Sequence, residues 1–152
     1  MKITTNSEQE TFEFAKNFAA ELKGGEIIGL SGDLGAGKTV FTKGLAAGLG
    51  VSDNVNSPTF VIMKVYPIAD FKSPVSNLVH IDAYRLQSAE DIKTIGADEY
   101  FARPDTITVI EWPEIIKLLL TKYKNIINIT ISANKLKRVI CIEKKLCQQK
   151  GK

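Results

Sequence analysis

Gly32-Asp33-Leu34-Gly35-Ala36-Gly37-Lys38-Thr39 is the stretch that decides the fold. It matches the pattern G-x-x-x-x-G-K-[ST] in full. Residues 26–31 (EIIGLS) before it read as a short buried strand, and residues 38–49 after it read as a helix that Gly50 ends. Glycines at 32, 35 and 37 permit backbone angles closed to other residues, so consecutive amides can turn inward on an anion. The helix that starts near Lys38 adds its positive end. In this arrangement Lys38 reaches terminal phosphates and the Thr39 hydroxyl holds magnesium. A strand, turn and helix that merely needed glycines would leave Lys38-Thr39 at the helix start unexplained.

Working outward, such a loop needs an acid across the metal, at the end of a neighbouring apolar strand. Two acids qualify: Asp82 after LVHI and Glu111 after ITVI. One can ligate the metal while the other positions a water, or one is only a strand-ending helix cap; spacing alone does not divide the roles. Ser7-Glu8-Gln9-Glu10 reads as a capping box, and Phe12, Ala15, Phe18, Ala19 and Leu22 follow at helical spacing. Residues 59–66, 77–82 and 106–111 read as strands, residues 88–95 as a short helix, and residues 114–123 as a helix opened by Pro113. Residues 125–132 and 136–143 flank a turn at 133–135 and suggest a closing hairpin. The reading is α/β: a P-loop NTPase with a mostly parallel central sheet, flanking helices and a C-terminal antiparallel hairpin. Residues 1–145 form one domain in this reading, and residues 146–152 a flexible basic tail.

The 152 residues suffice for one core, and 44% hydrophobic with 24% charged residues are ordinary globular values. No apolar run approaches the ~20 residues of a membrane helix, and MKITTNSEQE lacks a signal-peptide core, which together point to the cytoplasm. Cys141 and Cys147 make neither a metal pattern nor a disulfide framework. The net charge of +3 hides a division: residues 117–152 carry ten Lys/Arg against one acid, residues 1–116 ten against sixteen. A basic end of this kind suits RNA or an acidic surface, yet no aromatic residues are interleaved with it as a stacking platform, which favours a lysine-rich solvated face. Asn134-Lys135-Leu136-Lys137 lacks the aspartate of the guanine signature N-K-x-D, which points away from GTP.

Four blocks in order, GDLGAGKT at 32–39, SPTF at 57–60, HIDAYRL at 80–86 and IEWPE at 110–114, resemble the TsaE family of bacterial ATPases. The resemblance covers roughly residues 7–140. It implies an ATPase that sustains turnover in a tRNA threonylcarbamoyladenosine (t6A) modifying complex, with TsaD and TsaB as partners and tRNA engaged through the complex. It also implies ATP and Mg2+ as cofactors; no arginine finger is evident in the sequence, so weak hydrolysis by the chain alone and activation by its partners are expected. Residue by residue, Asp33, Leu34, Gly35, Ala36, Gly37 and Lys38 match the phosphate loop, and Thr39 and Glu111 the magnesium ligands. Asp82 matches a catalytic acid, or one that holds a metal-bound water. Thr59 matches a γ-phosphate sensor in a switch-like segment that Pro58 fixes, and Thr11 and Arg138 match positions near the base. Trp112 matches the tryptophan beside the metal ligand. His80 reads as structural, and Arg85 either orients Asp82, faces a partner or pairs with an acid such as Glu90. The competing reading is a small-molecule kinase on the same scaffold, which would need an arginine-bearing lid; the arginines are only Arg85, Arg103 and Arg138.

Overall fold

The structure is a computed structural model of the chain and describes residues 1–58 and 60–145. Seven strands form one sheet: β1 (Lys2–Thr5), β2 (Ile27–Ser31), β3 (Met63–Pro67), β4 (Asn77–Asp82), β5 (Thr106–Glu111), β6 (Ile126–Asn134) and β7 (Lys137–Lys144). Their order is β1-β7-β6-β2-β5-β4-β3. The central four, β6, β2, β5 and β4, run parallel, and antiparallel neighbours complete both edges. Strands buried on both faces read as continuous apolar runs, which is why IIGLS, NLVHID and TITVIE lie at the centre.

Helices α1 (Glu8–Phe18) and α2 (Lys38–Leu49) cover one face, and the short helices α3 (Ala89–Thr94) and α4 (Lys117–Leu120) the other. Strand alternation divides the core accordingly. Ile28, Leu30, Leu78, Ile107, Val109 and Ile129 pack with Phe18, Phe41 and Leu45, while Ile27, Val79, Ile81 and Ile110 pack with Ile92, Ile116 and Leu119. Ser7 caps α1 by accepting from the Glu10 amide at 3.1 Å, and the Glu10 carboxylate reaches back one residue further than expected, to the Asn6 amide at 2.7 Å. The two long helices approach backbone to backbone at Gly44 and Gly48. A Cβ added at Gly44 would stand 2.3 Å from the Phe12 carbonyl oxygen, and one at Gly48 2.2 Å from that of Lys16.

The structure revises several element boundaries. Strand β3 starts at Met63, because residues 60 and 61 turn and Ile62 takes a left-handed φ of 64° despite its β-branched side chain. The expected helix over 114–123 is a 3-10 turn, Pro113–Ile116, followed by the single turn of α4. Asn134 pairs with Lys137, so the hairpin turns on Lys135 and Leu136 rather than at 133–135, with Lys135 at φ 56°. Strand β1, with one apolar residue in four, has no period to read. It exists because Thr5 to Lys2 pair with Arg138 to Cys141. The expected tail at 146–152 lies outside the described residues, as does Thr59.

Candidate functional site

The loop between β2 and α2 lies at the carboxyl end of the parallel strands, where α/β sheets place their ligands. Gly37 stands at φ 108° as the residue before α2, a conformation that L side chains rarely adopt, and Gly35 at φ 76° has open space around it, so at both positions the backbone angle itself calls for glycine. Ala36 is buried, and Asp33 and Leu34 face solvent. Lys38 is 6% exposed, and its ammonium folds back over the loop and donates to the Gly32 and Asp33 carbonyl oxygens at 2.5 and 3.1 Å. It also lies 4.7 Å from the centre of the Trp112 ring, within cation–π range.

The two candidate acids are paired by the sheet. Asp82 and Glu111 are the last residues of β4 and β5 and stand opposite one another in the parallel register. Both are buried, at 9% and 4% exposure, and both point to the face that carries α2. Asp82 accepts the Tyr84 amide at 3.0 Å, capping the 3-10 turn that follows, so it is both a strand-ending cap and a wall of the site. Its amide donates to the Ile62 carbonyl oxygen at 2.8 Å, and Ile62 closes a turn back to the Pro58 carbonyl oxygen. Ile62 is thereby tied both to Pro58 and to the backbone of the acid. Glu111 Oε1 lies 2.9 Å from His80 Nε2.

A cavity of about 420 Å³ is lined by Gly35, Gly37, Lys38, Thr39, Asp82 and Glu111, together with Ser57, Tyr84, Arg85 and Trp112. Trp112 stands in the left-handed region at φ 58°, and the turn it starts closes on β2 because Gly29 leaves room: a Cβ there would meet Pro113 at 3.2 Å. The Tyr84 ring packs tilted against Trp112, with centroids 5.2 Å apart, and the Arg85 guanidinium lies over Phe60 at 5.3 Å. Glu90, suggested as a partner for Arg85, pairs with Lys93 instead.

The structure does not bring every expected residue to this cavity. Thr11 is buried, with its hydroxyl 2.7 Å from that of Thr5 and 3.2 Å from the Ser7 carbonyl oxygen. Arg138 sits across the loop from β7: its Nε is 3.6 Å from where a Gly37 Cβ would be, and that buried Nε has no hydrogen-bond partner among the described residues. Tyr84 and Arg85, left open by sequence reasoning, line the wall, and the signal for them was their place directly after a strand-ending acid. Two carboxylates and a hydroxyl form a hard oxygen set of the kind Mg2+ prefers, with few protein ligands and room for water.

The fold and the site define a P-loop nucleotide-binding protein. The family described as threonylcarbamoyl adenosine biosynthesis protein TsaE matches residues 5–140. The chain is 43% identical over 142 residues to the tRNA threonylcarbamoyladenosine biosynthesis protein TsaE of Rickettsia typhi, covering 93% of each chain. It is 43% identical over 117 residues to the Bacillus subtilis protein of the same name, covering 77% of this chain and 69% of the relative. The crystal structure of Bacillus subtilis YdiB superposes with a TM-score of 0.73 at 33% identity, over 95% of this chain and 85% of that one. The chain belongs to the TsaE family, and with it to the biosynthesis of the t6A nucleoside of tRNA.

Proposed function

We propose that the chain binds ATP with Mg2+ in this cavity and hydrolyses it to drive a cycle of a t6A-modifying complex, in which its partners are TsaD and TsaB and tRNA is met through the complex. The observation that carries the reading is the convergence of Lys38, Thr39, Asp82 and Glu111 on one cavity beside the loop amides. The loop amides and the end of α2 hold the phosphate charge. Lys38 leaves its two carbonyl partners to reach the terminal phosphates. Thr39 and Glu111 hold Mg2+, which when bound neutralises charge on the phosphate oxygens. Asp82 orients the attacking water, and Thr59 answers to the γ-phosphate. Thr11 and Arg138 belong to the base end, Thr11 by seating α1 and Arg138 by direct approach across Gly37.

The rim supports a role for partners. Leu34 and Tyr84 of the cavity lining, and Phe60 against Arg85 of the same lining, are each at least 60% exposed, as apolar side chains at interaction sites are. A kinase would gather arginines over the phosphates. Here Arg103 pairs with Asp105 and Arg138 approaches from β7, which leaves Arg85 in the wall. The test measures ATP hydrolysis with and without TsaD and TsaB, alongside t6A formation over several turnovers. Slow hydrolysis that the partners accelerate, and t6A formation that stalls after one turnover without this chain, are expected. Fast hydrolysis indifferent to the partners would sink the reading.

A further inference from the structure

His80 is the only histidine of the chain, is fully buried, and does not line the cavity. It stands on β4 two residues before Asp82 and reaches diagonally to β5, where its Nε2 meets Glu111 Oε1 at 2.9 Å. Among the described residues it is the one hydrogen bond of the Glu111 side chain, and no other ion pair involves either acid. A buried carboxylate accepts only, so Nε2 carries the proton. The other ring nitrogen agrees: Nδ1 is buried with no hydrogen-bond partner among the described residues. A bare acceptor there is tolerable, whereas an unpaired N–H donor would be the costlier state.

We infer that His80 is a positioning residue for Glu111: its Nε2–H holds Oε1, fixes the carboxylate plane, and leaves Oε2 as the oxygen presented to the divalent cation of a bound nucleotide. The inference rests on the reading of Glu111 as a metal ligand. Carboxylates that bind metals are themselves held by outer hydrogen bonds, and loss of such a bond typically lowers metal affinity 10- to 100-fold. Alternation explains why the residue two before Asp82 can do this. His80 and Asp82 share a face, and the parallel register sets Glu111 diagonally next to His80.

The experiment titrates the full-length protein with a non-hydrolysable ATP analogue, once in EDTA and once in Mg2+, and takes the ratio of the two affinities as the metal's contribution. His80→Leu keeps the volume and removes the donor. His80→Asn withdraws the donor from reach, and His80→Gln returns one near the Nε2 position. The expected result is a ratio reduced roughly 10- to 100-fold in the Leu and Asn variants, unchanged binding in EDTA, and recovery to within about threefold of wild type in His80→Gln, by the same outer-bond argument. If His80→Leu does not fold, the Asn and Gln pair decides alone. Equal losses in EDTA and Mg2+ would mean a packing role and overturn the inference, as would a wild-type ratio in both donor-less variants. Glu111→Gln separates the two readings. If it keeps the wild-type ratio, the metal role of Glu111 fails and His80 falls with it; if it loses the ratio while His80→Asn does not, only the inference about His80 fails.

Discussion

The carboxyl end of the central strands and the antiparallel edge of the same sheet are built to different standards. At the edge, β6 and β7 pair without a break from Ile127–Lys144 to Asn134–Lys137, and β1 extends the ladder. The buried side chains of β6 and β7 there are isoleucines, and the backbone departure is Lys135 in the turn. At the strand ends, within a few residues, stand a buried lysine, a buried histidine and two buried acids, with Ile62 and Trp112 at positive φ. Strain and desolvated charge of this kind persist only where surrounding structure enforces them, and they concentrate at functional sites. The edge gains stability from regular pairing, and the strand ends spend part of it on geometry.

The largest expected effect comes from Lys38→Met. It removes a buried charge that nothing else replaces, so hydrolysis should fall by at least about 10²- to 10³-fold while the unfolding midpoint holds or rises. A marked fall in stability instead would mean that Lys38 serves the fold, and the contrast between the regions would break. Next is Gly44→Val, which forces side-chain atoms against the Phe12 carbonyl and should cost about 3 kcal/mol or more by chemical denaturation. Nucleotide affinity per folded molecule should fall too, because α2 carries the loop at its start. Arg138→Ala tests a side chain that reaches from the edge to the phosphate loop. Roughly tenfold weaker nucleotide binding is expected, from lost contact with a charged group, with β7 intact by amide exchange. Smallest is Lys135→Gly, which relieves a left-handed residue and should stabilise by up to about 1 kcal/mol with hydrolysis unchanged. Impaired hydrolysis in that variant would show that the edge and the site are not separable.

The same contrast decides what could be read from the sequence. The motif GDLGAGKT, and Asp82 and Glu111 at the ends of apolar runs, were legible because phosphate chemistry dictates residue types at fixed spacing. The central strands were legible through their continuous apolar runs. Three things were not. Strand β1 is made by its neighbour rather than by its own residues. The VI pair at 61–62 favours strand locally, but the turn that ties Ile62 to Asp82 overrides it. The contacts His80–Glu111 and Lys38–Trp112 join residues 31 and 74 positions apart, so they depend on sheet register and on the turn after β5, and no local pattern holds that information.

Trp112 has one more consequence, and it is optical. It is the sole tryptophan of the chain, so the indole emission of the whole protein originates beside the nucleotide site. A protonated amine 4.7 Å from the ring and a tyrosine 5.2 Å away give that emission a quencher and an energy donor. If Lys38 leaves the ring for phosphate as proposed, nucleotide binding should change the brightness of the unlabelled protein, and stopped-flow fluorescence would read that step without any added dye.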